Sequence, residues 1–197
     1  MTVELNIKHD LKRLRKQLRT LPDKAVKPTT NRALNRAGKK VHTEAVREIS
    51  KRTGIKPQRK VRNVIKLTRS SFRTLRAKVT AFRYAPNLIE FVAPSKRVPG
   101  AFKKKKGVTA KAWGQKKEYK GTFIGRGRNS GKALVFKRTS DKSAPIRTVS
   151  GPSVRRTFIE RTVNKMLRSV GRETFIKEFR SDAEYRIHKH LNKNRKR

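Results

Sequence analysis

The tip Gly125-Arg126-Gly127-Arg128-Asn129-Ser130-Gly131-Lys132 comes closest in residue type to a phosphate-handling motif. A P-loop places glycine five residues before its Gly-Lys pair, and Arg126 stands there. It places Ser or Thr after the lysine, where this chain has Ala133, and it opens a helix, whereas Ala133-Leu134-Val135-Phe136 reads as a strand. A nucleotide site is therefore not expected. Two readings stand: a hairpin tip whose Arg126, Arg128 and Lys132 reach a phosphate backbone, or a solvated turn. The run Lys103-Lys104-Lys105-Lys106 is a second candidate for a polyanion contact in so basic a chain.

Other chemistry has little support. Trp113, Tyr119, Phe123 and Phe136 lie among basic residues, as base-stacking aromatics do in single-strand binders. Their place in alternating segments favours core packing instead. His9, His42, His188 and His190 form no ligand-spaced cluster with carboxylates, and His188 and His190, two apart, fall on different faces of a helix. The acids are too scattered for a two-metal centre or a general acid–base pair. The expectation is no catalytic residue, no metal and no cofactor.

Charge is the dominant signal. The 197 residues carry 56 Lys and Arg against 13 Asp and Glu, a formal charge of +43. Such imbalance repels itself in a compact monomer, so an anionic companion is expected. Nucleic acid leads, because neutralising phosphates releases counterions. Between Glu48 and Glu160 the only acids are Glu90, Glu118 and Asp141, so the excess charge lies in the central region. With 34% hydrophobic and 35% charged residues, a core forms only if some segments stay outside it. The absence of cysteine excludes disulfides and thiolate zinc sites. No apolar run reaches about 18 residues, so no membrane helix is expected. Met1-Thr2-Val3-Glu4-Leu5-Asn6 lacks a signal-peptide apolar region, which points to the cytoplasm or something assembled there.

These residues need elements to hold them. Val3, Leu5 and Ile7 alternate as in a short strand, and Leu11, Leu14 and Leu18 share one helical face. Pro28-Thr29-Thr30-Asn31 supplies helix start signals, Leu34, Ala37, Val41, Ala45 and Ile49 form a stripe, and Thr53-Gly54-Ile55 reads as a glycine cap. Pro57 opens a short helix to about Val64, with Val61 and Ile65 inward. Leu75 to Ala81 and Leu88 to Val92 read as an antiparallel pair of strands, followed by a loop from residue 94 to 107. Val108 to Trp113, Tyr119 to Ile124 and Ala133 to Phe136 are further strands. Ala144 to Ser150 is a last strand, Gly151-Pro152-Ser153 a turn with Ser153 as N-cap, and Val154, Phe158, Val163, Leu167, Phe175, Phe179 and Ile187 mark a long helix that Gly171 ends or bends. The expected fold is α+β, an antiparallel sheet packed against an N-terminal helical pair and a long C-terminal helix. Residues 1–192 are expected to form a single domain with the basic loop 94–107 inserted, and 193–197 a basic tail. Leu34, Val41, Ile49, Val154, Phe158 and Val163 are expected at a subunit interface or in the core.

An ordered set of motifs resembles a known family. It runs through Pro28-Thr29-Thr30-Asn31-Arg32-Ala33-Leu34-Asn35-Arg36, then Ala45-Val46-Arg47-Glu48-Ile49-Ser50-Lys51-Arg52-Thr53-Gly54-Ile55. Ala110-Lys111-Ala112-Trp113-Gly114, Gly121-Thr122-Phe123-Ile124, Val135-Phe136-Lys137-Arg138 and Ala144-Pro145-Ile146-Arg147 before Ser150-Gly151-Pro152-Ser153-Val154 follow. Over roughly Lys27 to Phe179 this resembles the minor tail protein Z family of tailed bacteriophages and prophages. The chain departs from the family pattern at Thr148-Val149 and in the extended loop at Lys103–Lys106. The resemblance implies a structural tail-completion, or neck, protein of the virion, assembled in the host cytoplasm. It implies a homo-oligomeric ring, commonly a hexamer, at the head-proximal end of the tail. That ring would join the tail terminator to the head connector and contact double-stranded DNA at the genome end, with no membrane partner. A free basic nucleic-acid-binding protein of ribosomal or RNA-chaperone type fits charge and size equally well; an enzyme such as a nuclease lacks its acid cluster.

Overall fold

The computed structural model of the chain describes residues 2–4, 14, 22–102, 107–128, 130–140 and 144–195. In chain order the elements are β1 (Thr2–Glu4), α1 (Asp23–Thr53), α2 (Gln58–Val64), β2 (Ile65–Thr68), β3 (Lys78–Ala81), β4 (Val108–Ala112), β5 (Gln115–Tyr119), β6 (Thr122–Arg126), β7 (Ala133–Arg138), β8 (Ile146–Thr148), α3 (Val154–Ile159) and α4 (Arg161–Arg195). The architecture is α+β, as the sequence led us to expect. Two compact units divide the chain: Met1–Val46, Ile65–Ala81 and Ile159–Arg197 form one, Arg47–Val64 and Phe82–Phe158 the other.

In the first unit the long N-terminal helix packs on the long C-terminal one. Ala33, Leu34 and Ala37 of α1 form a buried cluster with Phe175, Phe179 and Ala183 of α4, joined by Leu14 and Ala77. Small residues on α1 leave room for the two phenylalanine rings, whose centroids lie 5.8 Å apart. Polar contacts flank the seam. Arg32 donates to Asp182 at 2.7 Å, Arg186 donates to the other oxygen of Asp182 at 2.7 Å, and Arg36 pairs with Glu178. A three-stranded antiparallel sheet, ordered β1-β3-β2, belongs to the same unit. Gly38 of α1 admits Leu67 and Ala77 so closely that an added Cβ would stand 3.0 Å from Leu67 Cδ1.

The helix starts earlier than Pro28 predicts. It begins at Asp23 and carries Pro28 inside it. A proline near a helix start removes only one N–H donor. Ala25 and Val26 pack against the buried cluster, and Thr30 donates its hydroxyl to the Val26 carbonyl at 2.8 Å. The far end follows the expected glycine cap: Gly54 has φ +73° and donates to Ser50 O at 2.9 Å, with Ile55 buried after it.

In the second unit β4 and β5 form a hairpin, and β6, β7 and β8 form an antiparallel sheet in that order. The expected strand at Leu88 to Val92 is instead a 3-10 turn over Leu88–Phe91. Asn87 explains the difference. Its Oδ1 accepts from Ile89 N at 3.0 Å and from Val135 N at 2.9 Å, and its Nδ2 donates to Val135 O at 3.2 Å. A strand would put Leu88 and Glu90 on one face. The turn buries Leu88, Ile89, Phe91 and Val92 together and sends Glu90 out to Lys60, 2.8 Å away. The expected partner strand is also shorter: β3 begins at Lys78 after Leu75 takes φ +41°, and it pairs with β1 and β2.

The Ser-Gly-Pro-Ser stretch has a steric reason. Gly151 donates to Pro86 O at 2.7 Å, and an added Cβ would meet Phe91 Cε2 at 2.5 Å. After it Ser153 caps α3, its hydroxyl accepting from Arg156 N at 3.4 Å and its carbonyl from Thr157 N at 3.1 Å. The expected single helix is interrupted at Glu160, whose carbonyl accepts from Asn164 N at 2.9 Å as α4 begins. Gly171 does not end it. It is buried inside α4, whose 35 residues span about 52 Å at 1.5 Å each.

Candidate functional site

The strands of the second unit carry a run of exposed cations with little acid among them. In strands β4 to β8 the one acid is Glu118, while Lys111, Lys116, Lys117, Arg126, Lys137, Arg138 and Arg147 stand exposed on them. The pairing register sharpens this. Lys111 stands directly opposite Lys116 across β4 and β5, and Lys137 directly opposite Arg147 across β7 and β8. Directly opposed like charges destabilise a sheet. Glu118 faces Thr109 and sits opposite neither pair. Opposite charges do pair on other elements: Arg32 and Arg186 on Asp182, Arg36 on Glu178 and Lys40 with Glu44 at 3.1 Å in the first unit, and Arg52 with Glu48 at 2.6 Å and Lys60 with Glu90 at 2.8 Å in the second.

Three of the residues expected at a phosphate backbone share one hairpin tip. Arg126 closes β6 opposite Ala133, and Arg128 and Lys132 lie in the turn beyond it. Gly127 donates to Lys132 O at 2.9 Å and Gly131 to Gly127 O at 2.8 Å, with Gly131 at φ +61°. This tight turn keeps all three cations exposed. Behind the tip, Phe123 stacks on Phe136 with centroids 6.0 Å apart, and the Arg138 guanidinium lies 5.6 Å over the Phe123 ring. That contact fixes one cation on the sheet face. The other group of expected contacts, Lys103–Lys106, lies outside the described residues, as do Leu5, Ile7, Leu11, Leu18 and the end of the basic tail.

The residues expected at an interface or in the core are placed inside the chain. Leu34, Val41 and Val163 are buried in the first unit, and Ile49, Val154 and Phe158 in the second. Trp113 departs from the core reading. It occupies the turn between β4 and β5 with φ +54°, followed by Gly114 at φ +73°, and is 52% exposed. Its backbone N–H donates to Thr53 O at 3.2 Å, so the turn is tied to the end of α1 while the indole points outward. Sequence reasoning missed Lys111, Lys116, Lys137 and Arg147, because their significance lies in which residue faces which. Alternation along each strand was the only available signal.

Comparison with known families decides the class. The family model of prophage minor tail protein Z (GPZ) matches residues 10–193. The chain belongs to this family. Minor tail protein Z is a structural component of the phage tail and not an enzyme. No curated protein and no solved structure matches the chain. Among the described residues no group of histidine, cysteine or acidic side chains is placed to hold a metal ion. No described helix is long and apolar enough to cross a membrane. For a minor tail protein Z, the work to be explained is thus contact with other tail proteins.

Proposed function

We propose that this minor tail protein Z completes the tail at its head-proximal end, as a neck ring of identical subunits. A hexamer is the stoichiometry the family resemblance suggests, with residues 1–192 acting as one domain and 193–197 as a basic tail. The ring joins the tail terminator to the head connector within the virion. Its exposed cations hold the end of the double-stranded genome, with Arg126, Arg128 and Lys132 on the hairpin tip and Lys103 to Lys106 on the preceding loop as contacts. The protein is assembled into particles in the host cytoplasm.

One observation carries this reading: Lys137 stands directly opposite Arg147, on a sheet whose strands β6 to β8 hold no acid. A fold that sets like charges face to face gains stability when an anion sits over them. A duplex supplies a negative charge every 1.7 Å or so of helix axis. Several copies of a +43 chain around a channel would multiply that attraction.

The test is a particle reconstruction at the head–tail junction. The expected result is a closed ring with these side chains against duplex or against acidic neighbours. Finding them in bulk solvent, or finding the chain elsewhere in the tail, would overturn the proposal.

A further inference from the structure

A cavity of about 610 Å³ opens in the second unit between the 3-10 turn and the β4–β5 hairpin. That size is in the range of ligand pockets. Its floor is apolar, with Phe91, Val92 and the half-buried Phe102, and its rim carries Lys56, Lys96, Lys111 and Lys116. All four lysines are exposed and none makes an ion pair among the described residues. The other charged groups at the cavity are already engaged. Glu90 pairs with Lys60, and Arg97 donates to Val92 O at 2.9 Å and Glu90 O at 3.0 Å, which holds the turn that forms one wall. One of the two like-charge pairs, Lys111 opposite Lys116, therefore lines a recess with a greasy floor.

We infer that this cavity binds an acidic peptide segment of another protein, seating one apolar side chain on Phe91 and Phe102 and its flanking carboxylates on Lys56, Lys96, Lys111 and Lys116. The shape chooses peptide over nucleic acid. A duplex carries its phosphates on a convex surface and has no apolar group to place against a recessed floor. A free phosphate would use the rim and leave the floor wet. A peptide supplies both, with carboxylates for charge-assisted hydrogen bonds and a side chain whose burial is worth roughly an order of magnitude in affinity. That the segment's owner is a neighbouring tail protein rests on the proposed role in the neck; the chemistry of the cavity does not.

The experiment uses the full chain and fluorescence anisotropy with a short labelled peptide of one leucine flanked on both sides by glutamates. A leucine-to-serine version and a short DNA duplex are run beside it. The leucine peptide is expected to bind about tenfold more tightly than the serine peptide. The double variant Lys111→Gln, Lys116→Gln is expected to lose about tenfold for the leucine peptide while duplex binding persists. Because both side chains are exposed, the variant is expected to melt no lower than the parent, which circular dichroism checks. Equal binding of the two peptides would overturn the inference, since any acidic chain would then do. A variant that loses duplex binding as fully as peptide binding would overturn it too, because the rim would then be a nucleic-acid face. Absence of a neck ring in particles, with leucine discrimination intact, would instead sink only the proposed role.

Discussion

Asp182 of α4 accepts a 2.7 Å hydrogen bond from Arg32 of α1, while its second oxygen accepts one of 2.7 Å from Arg186 on its own helix. The carboxylate is almost wholly buried, and the two guanidinium groups are its solvation. Burial alone would raise its pKa, but the hydrogen bonds from Arg186 and Arg32 outweigh that and hold it below the ordinary aspartate value. The pair therefore couples the two long helices at one buried point.

Asp182→Asn is expected to destabilise the chain by about 2 kcal/mol, the scale of a hydrogen bond to a charged group. The pH dependence follows from the lowered pKa. The stabilisation is fully present above the unfolded value, near 3.9, and is lost as pH falls through the folded value. Thermal melts from neutral pH down to about 2 should show the parent losing this increment below about pH 4, and the variant lacking it. An identical acid limb for both proteins would rule the pair out as a source of stability.

The opposed cations make the reverse prediction. Lys137→Glu converts the facing pair with Arg147 from like to opposite charge, and the isolated chain should gain about 0.5 to 1 kcal/mol. The same substitution should weaken duplex binding. A calorimetric melt and a binding titration on one sample test both signs. A stability loss would mean that the pair is not repulsive in solution.

Gly151 is expected to tolerate no side chain. Its missing Cβ would stand 2.5 Å from Phe91 Cε2 and 3.2 Å from Pro86 O. Gly151→Ala should cost about 1 to 3 kcal/mol through overpacking. Combining it with Phe91→Leu should recover part of that cost, which a double-mutant cycle in urea measures.

The hairpin tip should govern how salt acts on DNA binding. Replacing Arg126, Arg128 and Lys132 with glutamine is expected to lower the slope of log K against log salt by about 2 to 3, near 0.9 for each lost phosphate contact. Melting should not change, because all three are exposed. An unaltered slope would move the contact to another part of the surface.

What the sequence made legible was whatever depends on spacing within one element. The stripe from Leu34 to Ile49, the cap at Gly54 and the N-cap at Ser153 follow from residue type and helical period, and all stand as expected. Leu88 to Val92 misled because a buried apolar run looks alike as strand or tight turn. What decided it was Asn87 bonding to Val135, 48 residues away. Pro28 misled because packing of Ala25 and Val26 outweighs one missing donor. The placement of the exposed cations was half legible for the same reason. Arg126, Arg128 and Lys132 are neighbours along the chain, whereas Lys111 facing Lys116 is a matter of register, which no single segment encodes.

The β4–β5 turn also provides an optical reporter. Trp113 is the chain's single tryptophan, and it stands half in water on the tip of a hairpin whose backbone is pinned at Thr53. Its fluorescence thus comes from one known spot, and a blue-shifted emission on mixing with a tail component would signal a docking event at that corner without any label.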